Sequence, residues 1–232
     1  RERERATVGG SRCVSVHTAS KETLIDLGPK KYNFLTKLPV MEKFYTIQGE
    51  GYYSGQPFYF IRLGGCDVGC HWCDVKESWD HNQHQFIEVN DLIKDVKEHT
   101  SNVVITGGEP LMWDLSELTK RFKENNIKLH LETSGAYELS GNWDWVCLSP
   151  KKKMLPKKEF YSTADELKVV IYNNDDFKFA IQESEKVSQE CKLFLQPEWS
   201  KFDLMKDKIV QFVMKNKNWN ISLQTHKYLE ID

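Results

Sequence analysis

Gly64-Gly65-Cys66-Asp67-Val68-Gly69-Cys70-His71-Trp72-Cys73-Asp74 carries three thiols within eight residues, at spacings of four and three. No regular helix or strand turns all three side chains to one point at those spacings, so the stretch predicts a loop wrapped around a metal centre. Three cysteines make an incomplete cage. A four-iron four-sulfur cluster takes one ligand per iron, and three thiolates leave one iron open for chemistry, much as a catalytic zinc keeps a free position. The alternatives are a zinc knuckle completed by His71 or a distant residue, and three plain buried thiols. Zinc sites usually use two paired C-x-x-C units, and the chain has no second pair.

Around that loop, strand-like and helix-like segments alternate, which predicts an α/β fold with a largely parallel sheet. Residues 58–63 read as the first buried strand, followed by strands over 102–106, 128–132, 145–148, 167–172 and 192–195, with a last one over 221–224. Val89, Leu92, Ile93 and Val96 follow the i, i+3, i+4, i+7 rule of an amphipathic helix over 89–99. Leu115, Leu118 and Phe122 mark the next, ended by Asn125-Asn126, and further helices fall over 175–187 and 202–214. No internal repeat or low-complexity tract interrupts them.

Polar, glycine-bearing or proline-bearing motifs recur at the C-terminal end of these strands: Thr106-Gly107-Gly108-Glu109-Pro110, Glu132-Thr133-Ser134-Gly135, Ser149-Pro150-Lys151 and Gln196-Pro197-Glu198-Trp199. In parallel α/β barrels those ends open on one face, where active sites are built. One pocket could therefore collect all four. Six or seven strands are too few for an eight-fold barrel, so the expected fold is a partial, incomplete parallel β/α barrel. Gly-Gly after a strand is often only a tight turn; its functional reading is that glycine lets the backbone close on a ligand while a carbonyl or Glu109 accepts from an ammonium group. The lysines after Lys151 read as a solvated basic run.

The composition bounds the function. The 232 residues, 40% of them hydrophobic, suffice for one domain with a substantial core. Thirty-two basic and 34 acidic residues give a net charge of -2, no field to hold a polyanion, so direct nucleic-acid binding is not expected. No apolar run reaches the 18 or so residues of a membrane span and no secretory leader is visible, so a cytoplasmic protein is expected. Cys13, Cys147 and Cys191 are scattered without a disulfide framework, which fits a reducing compartment. The charged opening Arg1-Glu2-Arg3-Glu4-Arg5 and the flexible Gly9-Gly10-Ser11 predict that residues 1–34 are a disordered or non-native extension and that residues 35–232 form the domain.

The Cys66, Cys70 and Cys73 spacing resembles the C-x-x-x-C-x-x-C pattern of the radical S-adenosylmethionine (SAM) enzymes. Ile47-Gln48-Gly49-Glu50-Gly51, Arg62 and Trp72-Cys73-Asp74 narrow the resemblance to the 7-carboxy-7-deazaguanine synthases, over the chain from about Pro39 onward. The resemblance implies a shortened radical SAM barrel with a 4Fe-4S cluster on Cys66, Cys70 and Cys73. It implies SAM contacts at Trp72, Cys73, Asp74, Gly108, Glu109, Ser134, Ser149, Pro150, Lys151, Gln196, Pro197, Glu198 and Trp199, with Glu132 at the ribose hydroxyls. It places a pterin substrate at Ile47, Gln48, Gly49, Arg62 and Thr106, where Arg62 offers a fork for a carboxylate and Gln48 pairs with a heterocycle edge. A surface salt bridge at Arg62 and a turn at Gln48-Gly49 are the plainer readings.

The implied reaction converts 6-carboxy-5,6,7,8-tetrahydropterin to 7-carboxy-7-deazaguanine with loss of ammonia, toward queuosine and related deazapurines. The implied partners are a flavodoxin- or ferredoxin-type electron donor and a second copy of the chain. Many family members follow the Cys-Asp pair with a threonine or serine that ligates magnesium; here that position is Val75, which has no oxygen to offer. Another radical SAM enzyme, such as a glycyl-radical-enzyme activase, and a zinc-binding interaction module are the competing classes.

Overall fold

The structure is a computed structural model that describes residues 36–231; the extension expected over 1–34 lies outside the described residues. In chain order the elements are β1 (Lys37–Ile47), β2 (Pro57–Leu63), β3 (Gln85–Glu88), α1 (Val89–Lys97), β4 (Asn102–Gly107), α2 (Ser116–Glu124), β5 (Lys128–Thr133) and β6 (Trp145–Leu148). They continue with α3 (Phe160–Thr163), β7 (Glu166–Ile171), α4 (Asp175–Ser184), β8 (Lys192–Pro197), α5 (Phe202–Lys215), β9 (Trp219–Ile221) and α6 (Thr225–Leu229). One sheet runs β3-β1-β2-β4-β5-β6-β7-β8-β9. From β2 onward every neighbour is parallel, while β1 pairs antiparallel with both β2 and β3. The sheet is open, as the incomplete barrel predicts.

Alternation along the parallel strands separates two environments. Ile61, Leu63, Val103, Ile105, Leu129, Leu131, Leu167, Val169 and Leu195 are fully buried on one face. There they meet Leu92 and Val96 of α1, Leu118 and Phe122 of α2, and Ile209 of α5 in one continuous core. The helices supply it because their apolar residues recur at the 3.6-residue period, so each presents one stripe to the sheet. The other face carries Arg62, Thr106, Glu132, Lys168 and Gln196, one polar residue on each of five strands. Register aligns this inner row: Arg62 lies opposite Thr106, Glu132 opposite Cys147, and Val170 opposite Gln196.

The two ends of the sheet are brought together by loops. In the segment between β1 and β2, Gly51 donates its N–H to Ser222 Oγ at 2.9 Å, and Gly49 O accepts from the N–H of Thr225 at 2.9 Å. Ser222 Oγ in turn donates to Gln196 Oε1 at 2.7 Å. Ser222 and Thr225 follow β9, so these bonds curl the open sheet around its polar face.

Two strands were not expected. β1 and β3 carry charge and exposed positions rather than an apolar run: Lys37, Glu42 and Lys43 sit on β1, and β1 breaks register between Val40 and Glu42. Pro39 within it is tolerated because it lies next to that register shift, where the β1–β2 ladder ends at Val40.

Candidate active site

The polar face and the loops at the strand ends enclose a cavity of about 470 Å³, the size range of small-molecule sites. Cys66, Cys70 and Cys73 stand on its wall, all half-buried. Their loop is fastened from outside the thiol triad: Gly65 and Cys66 donate their N–H groups to Ser78 O and Trp79 O, and Trp113 Nε1 donates to Gly64 O at 2.9 Å. Tyr137 donates its hydroxyl to Asp67 at 2.5 Å. Gly108 must be glycine, because a Cβ there would lie 2.3 Å from Gly65 O and 2.7 Å from the Cys66 Cβ.

Among the described residues no three His, Cys, Asp or Glu side chains converge on the position of a single ion. Three thiols facing one cavity suit a cluster, which takes its ligands on separate irons and can leave one iron open. Burial pushes the Cys66 thiol up to about 11 and raises Cys70 as well. Iron binding would supply the positive charge that makes thiolates of them.

Every residue expected at a ligand lines the cavity except Glu109 and Pro150, which are buried beside it. The structure corrects the expectation that Glu109 accepts from an ammonium group. Glu109 is 1% exposed, and its oxygens already accept from Leu111 N, Thr133 Oγ1, Ser134 N and Ser134 Oγ at 2.5–3.1 Å. Four donors fill a carboxylate's acceptor sites. Glu109 therefore shapes the Gly107-Gly108 and Ser134 walls from behind.

Several lining residues are already oriented by neighbours. Arg62 gives its Nε to Glu42 at 2.5 Å, so the salt bridge weighed from sequence exists, and Arg62 also lines the cavity. Gln48, 8% exposed, accepts from Glu50 N at 3.1 Å. Lys151 folds onto Ser149, donating to its carbonyl and hydroxyl at 2.6 Å each, and burial lowers its pKa. Asp74 pairs with Lys227 at 2.7 Å. Glu198 caps a turn through Ser200 while Trp199 lies beneath the Lys227 ammonium.

Sequence reasoning missed four contributors. Lys168, 4% exposed, reaches Glu50 at 2.7 Å and Glu132 at 2.9 Å, joining the loop after β1 to β5. Burial by itself would raise the Glu50 carboxyl, but the Lys168 ammonium and its hydrogen bond, with help from Gln224, hold it down at about 2. Gln224, His226 and Lys227 close the cavity from the segment after β9. A signal existed for Lys168, since Glu166 and Lys168 alternate with Leu167 and Val169 along a strand, but nothing in a local pattern could have joined residues 224–227 to Glu50 and Asp74.

Comparison with known proteins adds a family. The model of the Radical SAM superfamily matches residues 60–141. A 7-carboxy-7-deazaguanine synthase from Flavobacterium psychrophilum is 56% identical over 194 residues, 84% of this chain and 92% of that protein. One from Synechocystis is 46% identical over 89% of this chain and all of that protein, and one from Escherichia coli is 34% identical over 83% and 98%. The crystal structure of QueE from Escherichia coli superposes with a TM-score of 0.73 at 28% identity, over 82% of this chain and 94% of that one.

Proposed function

This chain belongs to the 7-carboxy-7-deazaguanine synthases of the radical SAM superfamily, and on that footing we propose that it converts 6-carboxy-5,6,7,8-tetrahydropterin to 7-carboxy-7-deazaguanine with loss of ammonia. The observation that carries the reading is one cavity with Cys66, Cys70 and Cys73 on one wall and Gln48, Arg62 and Thr106 on another. When bound, the cluster and SAM supply the electron and the hydrogen-abstracting radical, chemistry that protein side chains do not perform. The chain's own part is binding and exclusion of water.

Arg62 is pre-set by Glu42 to give a substrate carboxylate a forked pair of donors. Gln48, its carbonyl engaged by Glu50 N, offers its amide N–H groups to an acceptor on a heterocycle. The carbonyls of Gly107 and Gly108 accept from the ammonium of SAM, held in place by Glu109 from behind. Glu132, steadied by Lys168, accepts from ribose hydroxyls. Trp72, Ser149, Lys151, Gln196 and Trp199 complete the cofactor side, and residues 35–232 act as the single catalytic domain. A glycyl-radical activase would have no use for the Gln48 and Arg62 wall. Assay of the anaerobically assembled protein with SAM, a one-electron reductant of the flavodoxin or ferredoxin type and the pterin tests the reading. Formation of the deazaguanine supports it, and SAM cleavage with the pterin untouched contradicts it.

Magnesium enters this reading without a side-chain ligand at position 75. Val75 lines the cavity, and because magnesium keeps several waters and can be held largely by substrate, a water can take the place of the missing hydroxyl at reduced affinity. Val75→Thr is expected to lower the half-saturating magnesium concentration on the order of tenfold, equivalent to about 1.4 kcal/mol. Identical titrations for both proteins would show that the ion is held elsewhere or not used.

The protein is further expected to be a homodimer. Leu204 and Met214 on α5, Ile221 on the edge strand β9, and Tyr228 and Leu229 on α6 are exposed apolar side chains, and an uncovered edge needs a partner. Light scattering should find a dimer at working concentration; a monomer there contradicts this.

A further inference from the structure

Among the described residues the one buried side-chain oxygen without a hydrogen-bond partner is Glu166 Oε1. Glu166 is 2% exposed and opens β7, two residues before Lys168. Its other oxygen accepts from Tyr52 N at 3.1 Å and Trp145 Nε1 at 3.3 Å. Oε1 instead packs against Gly51, where a Cβ would lie 2.1 Å away, and Gly51 holds φ +65, a conformation glycine tolerates. Gly51 and Tyr52 directly continue the Gln48-Gly49-Glu50 wall of the cavity. Nothing in the reaction described above uses Glu166.

We propose that Glu166 is a positioning residue for the pterin-binding loop: its neutral carboxyl seats Gly51 and Tyr52, and its ionisation loosens them and the Gln48-Gly49-Glu50 segment they carry. This rests on the pterin assignment made above. The physical reason is that a charged Oε1 in that position has no hydrogen-bond donor among the described residues, a costly state for a buried carboxylate. Lys168, the cation whose charge acts on Glu166, is committed to Glu50 and Glu132. The charged form is relieved only if the loop moves and admits water.

The groups around Glu166 leave it alone in the neutral pH range. Burial raises Glu166 itself to about 7, against the pull of Lys168 and with the push of Glu132. Glu50 on the loop is held at about 2, and His130 on β5 is lowered by burial to about 4. Cys147 on β6 and Cys191 before β8 are pushed up by burial, as is Tyr53 on the loop, where Asp165 adds to the effect. Burial works against the Lys168 charge, but Cys147 and the carboxylates of Glu132, Glu50 and Glu166 around it raise its pKa. His226, whose ring faces Gly49, is lowered by burial. Because the Glu166 pKa is raised, the seated loop is favoured below its value and lost as pH rises through it.

The test compares the KM for the pterin in wild type and Glu166→Gln from pH 6 to 9. Glutamine keeps the neutral shape, so the variant's KM should stay level relative to wild type, whose KM climbs toward tenfold per pH unit above about 7 at unchanged kcat. Titration of the substrate affects both proteins alike and cancels in the ratio. A wild-type to variant ratio that does not change with pH overturns the proposal. Hydrogen exchange of the Tyr52 amide in the wild type, corrected for intrinsic rate, needs neither variant nor turnover: protection that falls through pH 7 supports the proposal, and constant protection overturns it. Absence of pterin turnover at every pH would instead strike the proposed function and leave the exchange result to judge Glu166.

Discussion

Replacement of Cys70 by alanine is expected to abolish reductive SAM cleavage and the brown visible absorption of the anaerobically assembled protein. A cluster with three protein ligands keeps one iron for its cofactor, so loss of a thiolate opens a second iron and the assembly loses either the cluster or the open site. Cys66→Ala and Cys73→Ala should behave the same way. Cys191→Ala is the control: Cys191 is 7% exposed, just before β8 and outside the cavity lining. Losing one buried sulfur there costs about 1 kcal/mol of stability and leaves cleavage intact. SAM cleavage that survives in Cys70→Ala refutes the ligand assignment.

Lys168→Met should be the most damaging change outside the thiols. It removes the ammonium of a 4% exposed residue from between two carboxylates and leaves Glu50 and Glu132 without their shared partner. Breaking a buried pair by deleting one partner costs about 3–5 kcal/mol; with both carboxylates about a fifth exposed, the lower end applies. For a domain of this size that is a fall in Tm of roughly 10 °C. The pH dependence follows from Glu50, whose native pKa of about 2 lies below its ordinary value. A depressed acid contributes stability above its unfolded pKa and loses it as pH falls toward the folded one. The gap between wild type and Lys168→Met should therefore be full at pH 7 and narrow between about pH 5 and 2. Equal melting temperatures at pH 7 would show that the triad contributes nothing. Substrate affinity should fall as well, because the loop bearing Gln48 is anchored through Glu50.

What the sequence disclosed tracks how local each signal was. The parallel strands were legible because their outer-face residues form apolar runs bounded by glycine and proline motifs, and α1 was legible because Val89, Leu92, Ile93 and Val96 keep one period. The cysteine loop and the strand-end motifs were legible because their chemistry depends on spacing along the chain. β1 and β3 were not, since an irregular, charged edge breaks the alternation that marks a strand. Lys168, Gln224, His226 and Lys227 belong to the cavity only because the sheet curls until the loop after β1 meets the segment after β9. Glu109 was misjudged for the same reason: its partners Thr133 and Ser134 come from the next strand, and a motif read along one segment does not show that a carboxylate is already full.

The most direct test of the central claim is the balance between SAM and product over many turnovers. The anaerobically assembled protein should convert a large molar excess of 6-carboxy-5,6,7,8-tetrahydropterin to 7-carboxy-7-deazaguanine, release one ammonia per product, and return its SAM intact. Consumption of one SAM per product contradicts the cofactor role assigned to it, and the absence of the deazaguanine contradicts the proposed function itself.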